Sequence, residues 1–213
     1  MLVRKMARAF TSRSLMAIAR DILRFFHRWL ADPRHIGAIV PSGRALADLI
    51  TRHVHGRSGR VAEFGAGTGA FTRALLSRGV REANLLLIER DEEFATCLRR
   101  RFPRAHVLTM EAERFGEWAQ AERFAAGAIV SGLPLLNLTH DSRRHILSGA
   151  FSSLCGDGAL YQFTYGLTCP VPVALLEHLQ LEAICMGRVL RNLPPAAVYR
   201  IHRRRSISVA AFA

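Results

Sequence analysis

Acidic residues are scarce in this chain and lysine is nearly absent. Seventeen Asp and Glu stand against thirty Lys and Arg over 213 residues, a formal net charge of +13, and Lys5 is the single lysine. Arginine forks suit phosphates, so the excess predicts a polyanionic partner, either nucleic acid or an anionic membrane surface, and composition does not choose between them. Long apolar runs are missing too: none approaches the roughly 20 residues that cross a bilayer, which argues against an integral membrane protein. The four cysteines, Cys97, Cys155, Cys169 and Cys185, show neither Cys-x-x-Cys nor metal-finger spacing. No disulfide framework is expected, and a reducing cytoplasm fits. His140, His145 and His178 lack ligand spacing as well, so no metal is expected. What remains is globular in character, 50% hydrophobic and 22% charged, which excludes disordered, collagenous and coiled-coil chains.

The charge is uneven. Residues 1–60 and the stretch after residue 187 are strongly basic, while the body between them is close to neutral. Within the first stretch Leu15, Ile18, Ile22, Phe25, Phe26, Trp29 and Leu30 recur at helical spacing, with Arg13, Arg20, Arg24 and Arg28 between them. That pattern predicts a basic amphipathic helix ended by Asp32-Pro33. Packed on its own domain, such a helix would be structural. Its polar face, with Phe25, Phe26 and Trp29 opposite, also suits a helix lying among anionic headgroups. Residues 1–32 are therefore assigned to this helix, with membrane contacts through Arg20, Arg24, Phe25, Phe26, Arg28 and Trp29, and residues 33–213 to a single domain.

That domain begins with a loop and a second helix, which Ser42 could cap and which runs to about His55. Apolar strands and helices then alternate: Val61 to Phe64, Phe71 to Arg78, Leu85 to Glu89, Glu92 to Phe102, His106 to Met110. A fourth strand is expected at Ala125 to Val130, a helix at Ser142 to Leu154, a fifth strand at Leu160 to Tyr165 and a short helix at Val173 to Leu179. Cys185 to Leu190 and Val198 to Arg203 close the chain as a pair of strands. The alternation predicts an α/β fold around a doubly wound, mainly parallel sheet.

The sharpest motif is VAEFGAGTG, where Glu63, Gly65, Gly67 and Gly69 alternate between a buried strand and a helix. Glycines there let the backbone pass close to a ligand; without a ligand the same pattern is a tight turn. Twenty residues past Gly69 the next strand ends in Glu89, the spacing at which an acid grips ribose hydroxyls in nucleotide-binding βαβ units. The third strand is followed by Glu111, which could accept a hydrogen bond from an adenine amino group. A dinucleotide site would want Gly-x-Gly-x-x-Gly; the pattern here is Glu-x-Gly-x-Gly-x-Gly.

This start resembles the first motif of class I S-adenosylmethionine-dependent methyltransferases. The resemblance implies a Rossmann-like seven-stranded sheet whose last strand is antiparallel. It also implies S-adenosyl-L-methionine as cofactor, S-adenosyl-L-homocysteine as product, and contacts from Glu63, Gly65, Ala66, Gly67, Gly69, Glu89, Arg90, Met110, Glu111, Ala112 and Ser131. A narrower likeness follows from HIGAIVPSG (35–43), IERDEEF (88–94), VSGLPLLN (130–137), YQFTYG (161–166) and VLRNLPPAAVYR (189–200) in that order. Together these are similar to bacterial phospholipid N-methyltransferases, peripheral enzymes that convert phosphatidylethanolamine toward phosphatidylcholine. That likeness implies a phospholipid substrate and a place on the inner face of the cytoplasmic membrane, with no nucleic acid and no obligatory protein partner. Tyr165, at the end of the fifth strand, is expected to orient the amine, with Ser131 as an alternative acceptor; Arg191, then Arg200, would hold the lipid phosphate.

Two other readings compete. Ribosomal RNA adenine dimethylases share the glycine start, but their Asn-Leu-Pro-Tyr, which holds a flipped base, is replaced here by Ser131-Gly132-Leu133-Pro134-Leu135. They also carry a C-terminal helical domain, whereas this sequence runs only a few residues past its last expected strand. A non-catalytic membrane adaptor is disfavoured by an intact glycine motif with both Glu63 and Glu89.

Overall fold

The computed structural model describes residues 41–165, 168–190 and 195–204. Seven strands form one sheet: β1 (Val61–Phe64), β2 (Leu85–Glu89), β3 (His106–Thr109), β4 (Ala126–Ser131), β5 (Leu154–Tyr165), β6 (Leu181–Val189) and β7 (Ala196–Arg203). Their order is β3-β2-β1-β4-β5-β7-β6. All run parallel except β7, which pairs antiparallel with both β5 and β6. This is the mainly parallel sheet with an antiparallel last strand that the sequence predicts. The order reverses between β1 and β4, and open α/β sheets bind ligands at such a switch point, beyond the C-terminal strand ends.

Helices α1 (Pro41–Ile50), α2 (Ala70–Ser77), α3 (Glu92–Arg101), α4 (Phe115–Ala121), α5 (His140–Ser153) and α6 (Val173–His178) complete the described chain. Every residue of β1 and β2 is buried, as strands covered on both faces require. Side chains alternate along a strand except at the bulges of β5 and β6, so register sorts them. Ala62, Phe64, Leu86, Ile88, Ile129 and Leu160 enter one apolar cluster with Phe115 of α4, Leu147 of α5 and Leu175 of α6. On the other face Phe71 of α2 meets Phe163 edge to face, ring centroids 6.2 Å apart. Burial of the first cluster stabilises the fold at about 25 cal/mol per Å² of apolar surface removed from water.

Helix α4 is an element that the periodicity analysis misses. Only Phe115, Trp118 and Ala119 carry an apolar spacing over seven residues, and Gly116 interrupts them. The glycine is there for packing: a Cβ on Gly116 would lie 2.8 Å from the Cα of Gly149 in α5, so the two helices cross backbone to backbone. Strand β5 starts at Leu154 rather than Leu160 because the chain bulges, its pairing jumping from Ala126↔Leu154 to Ala128↔Ala159. Helix α5 starts at His140, capped by Thr139, whose hydroxyl accepts the Ser142 amide at 3.1 Å. α1 ends at Ile50, five residues before the expected stop, and β6 and β7 begin earlier than expected, at Leu181 and Ala196.

Candidate cofactor and substrate site

The glycine turn leaves the C-terminal end of β1 and is stitched to the end of β2. The amides of Gly65 and Ala66 donate to the carbonyl of Ile88 at 2.8 and 3.3 Å. The Gly67 amide donates to Glu89 Oε2 at 2.8 Å, with the backbone at φ +52°. Gly69, at φ +77°, opens α2 where a Cβ would strike the Phe102 ring at 2.5 Å. A side chain there would be strained at this φ and would have to displace the Phe102 ring. Thr68 presents its carbonyl to the guanidiniums of both Arg73 and Arg101, two cations that the sequence pattern does not single out.

Three carboxylates stand on or just after three adjacent strands. Glu63 is wholly buried in β1. Its Oε2 accepts the Thr72 hydroxyl at 2.7 Å, while its Oε1 is buried with no partner among the described residues. Burial pushes its carboxyl up to about 8, with the negative charge of Glu89 adding to the rise and Thr72 and Arg73 opposing it. Glu89, 8% exposed, accepts Gly67 on one oxygen and the Asp91 amide on the other at 3.0 Å. It therefore clamps the glycine turn as well as facing the site, and each oxygen keeps a second lone pair for a ligand hydroxyl. Glu111 follows β3, exposed and 4.0 Å from Arg90. Nearby, Met110 donates its amide to the Glu89 carbonyl at 3.1 Å and packs its side chain on the core beside buried Ala112. An acid-rich rim of this kind repels a pyrophosphate and suits a ligand that carries positive charge and hydroxyls.

Ser131 ends β4, 1% exposed, and its Oγ accepts the Leu133 amide at 3.3 Å. Tyr165 ends β5, its ring edge-on to Phe163 with centroids 5.3 Å apart. Burial pushes its phenol well above the ordinary value of 10, so it stays protonated near neutral pH. The structure does not bring these two residues together as a pair. Ser131 is in register with Gln162, and Tyr165 lies three residues further on, roughly 10 Å along the strand and on its opposite face. Arg200, expected at the lipid phosphate, is directed elsewhere: its guanidinium reaches the Asp157 carbonyl at 3.5 Å, in the bulge beside the N-terminal end of β4. Mid-strand register with Tyr161 keeps it back from the strand tips. Arg191 lies outside the described residues, as do Arg20, Arg24, Phe25, Phe26, Arg28 and Trp29. Among the described residues no His, Cys, Asp and Glu side chains cluster as metal ligands would.

No family model matches the chain. A curated ornithine lipid N-methyltransferase of Singulisphaera acidiphila is 26% identical over 187 residues, 84% of this chain and 95% of that protein. Among solved structures, the 1,6-didemethyltoxoflavin-N1-methyltransferase of Burkholderia thailandensis, with 1,6-didemethyltoxoflavin and S-adenosylhomocysteine bound, is 16% identical at a TM-score of 0.61, covering 93% of each chain. The methyltransferase SMU.776, complexed with S-adenosylhomocysteine, is 12% identical at a TM-score of 0.57 over 77% of this chain and 50% of that one. This chain thus spans half the length of the latter. The fold is that of the S-adenosylmethionine-dependent methyltransferases.

Proposed function

We propose that this chain is an S-adenosylmethionine-dependent N-methyltransferase acting on the amino headgroup of phosphatidylethanolamine and its mono- and dimethyl derivatives. The observation that carries the cofactor is the buried, unpartnered Oε1 of Glu63 beside a glycine turn where a side chain at Gly69 would be strained. That oxygen suits an ammonium group, and Glu89 suits ribose hydroxyls. The lipid class is supported by the ornithine lipid N-methyltransferase, similar along most of both chains, and by the motif order from SGLPLLN to VLRNLPPA. Ornithine lipid itself is the second reading, on the same similarity. Against RNA, the position of the base-holding Asn-Leu-Pro-Tyr reads Gly132-Leu133-Pro134-Leu135.

When bound, S-adenosylmethionine would supply a methyl on a sulfonium: the amine lone pair would form the N–C bond and the S–C pair would stay on sulfur, the products of the first two transfers shedding a proton to water and the quaternary product of the third having none to lose. The protein's part is placement and dryness. A primary alkylamine is mostly protonated at neutral pH, with a pKa of about 10, and only its neutral form attacks. Buried walls at the tips of β4 and β5 favour that form by desolvation, and held geometry lowers the barrier further. With methyl-labelled S-adenosylmethionine, the label should enter phosphatidylethanolamine vesicles and not ribosomal RNA. Labelled dimethyladenosine without labelled lipid would overturn the substrate assignment.

The basic helix of residues 1–32 is proposed to hold the enzyme on the inner face of the cytoplasmic membrane. No helix among the described residues is long and apolar enough to cross a bilayer. Each basic residue near an anionic surface contributes on the order of 1 kcal/mol, screened by salt over about 10 Å at 0.1 M. Deleting residues 1–32 should abolish sedimentation with anionic vesicles and leave cofactor affinity intact. Equal sedimentation of the truncated and full chains would count against a membrane role for the segment.

A further inference from the structure

We propose that Gln162 holds the substrate amine, accepting one of its N–H bonds on Oε1; this rests on the amine-methylating reading above. Gln162 is fully buried in the C-terminal third of β5, in register with Ser131, the last residue of β4. Its Nε2 donates to the Leu133 carbonyl at 2.8 Å and to the Phe163 carbonyl at 2.6 Å. Both amide protons are thereby used, and the orientation of the amide is fixed. The Oε1 is left buried without a donor among the described residues, a costly state in an interior where polar groups are otherwise paired. An acceptor held ready in this way is complementary to a ligand that brings an N–H.

The location fits that ligand. Leu133, to which Gln162 is anchored, belongs to the turn after β4, and its amide is held by Ser131. Its side chain lies against the glycine turn, 3.0 Å from where a Cβ on Gly65 would stand. Gln162 thus reaches, through one residue, the turn assigned to the cofactor. A carbonyl oxygen cannot take the proton of an ammonium, but it can accept an N–H of the neutral amine. Doing so fixes the direction of the lone pair and stabilises the positive charge that grows on nitrogen as the N–C bond forms.

Hydrogen counting makes the role testable. The neutral primary amine has two N–H bonds and the monomethyl amine has one. The dimethyl amine has none. Gln162→Met keeps the length of the side chain and removes the acceptor. It should lower kcat on phosphatidylethanolamine and on its monomethyl derivative by about tenfold, the scale of one lost hydrogen bond. Turnover of the dimethyl derivative should fall far less, and calorimetric affinity for S-adenosylmethionine should not change. An equal loss on all three lipids would mean that Gln162 only braces the Leu133 turn, and no loss on any would mean that it does neither; both overturn the inference and leave the substrate reading standing. If the wild type methylates none of the three, the substrate reading fails and the inference with it. Should Gln162→Met not fold, Gln162→Glu replaces it as the variant: it keeps an acceptor oxygen and, when protonated, a donor to Leu133. It should then keep most of the wild-type kcat on the primary and monomethyl lipids, and a loss of equal size on all three would again overturn the inference.

Discussion

Glu63→Gln should raise the thermal stability of the free protein at pH 8 and above while weakening its hold on S-adenosylmethionine. Burial sets the folded carboxyl at about 8, against 4.5 for the free group. Between those values the folded chain binds more protons than the unfolded one, so stability falls as pH rises from 4.5 to 8 and is level beyond. With about 1.4 kcal/mol for each unit of pKa difference, the pH-dependent loss is on the order of a few kcal/mol. Glutamine cannot ionise, so the variant should show a flatter stability curve across that window. The same proton couples to binding. A ligand ammonium at Oε1 favours the charged carboxylate, so cofactor binding should release a proton and tighten as pH rises toward 8. Calorimetry in two buffers of different ionisation enthalpy reads that release directly. Identical apparent enthalpies in both buffers, or a variant as pH-dependent as the wild type, would remove Glu63 from the cofactor site.

Glu89→Ala should weaken cofactor affinity by roughly ten- to a hundredfold, because hydrogen bonds to a charged acceptor contribute about 1.5 to 3 kcal/mol. The geometry makes the effect double. Besides the ligand hydroxyls, the variant loses the acceptor for the Gly67 and Asp91 amides, so the glycine turn loosens along with the contact. Glu89→Gln separates the two causes: its single carbonyl oxygen can serve only one of those amides, and its affinity should fall between wild type and Ala. Gly67→Arg should act more strongly, since an arginine side chain at φ +52° places both bulk and a positive charge where a cationic ligand approaches. Unchanged calorimetric affinity in Glu89→Ala would sink the cofactor assignment.

The elements that carry the site were legible because buried parallel strands write themselves as continuous apolar runs: VAEF and LLLIE have the same limits in the sequence reading and in the structure. The glycine turn was legible for a local reason, the spacing of Glu63, Gly65, Gly67 and Gly69. Tertiary packing overrides the pattern at α4, where Gly116 looks like a break but allows contact with Gly149. Function through buried polarity was also hidden. Nothing in YQFTYG marks Gln162 over Tyr165, because an unpaired amide oxygen arises only when β5 lies beside the Leu133 turn. The reverse holds at Arg200, where a family-like setting suggested a phosphate contact but strand register sends the guanidinium to Asp157.

The most direct measurement of the central claim is the mass of the lipid headgroup after incubation of the full chain with phosphatidylethanolamine vesicles and S-adenosylmethionine carrying a deuterated methyl. The account predicts headgroup fragments heavier by one, two or three intact deuterated methyls, all on nitrogen, and formed roughly ten- to a hundredfold more slowly by Glu89→Ala at cofactor levels below saturation of the wild type. Unlabelled headgroups alongside labelled ornithine lipid would move the substrate to the second reading, and no labelled lipid of either kind would contradict the account.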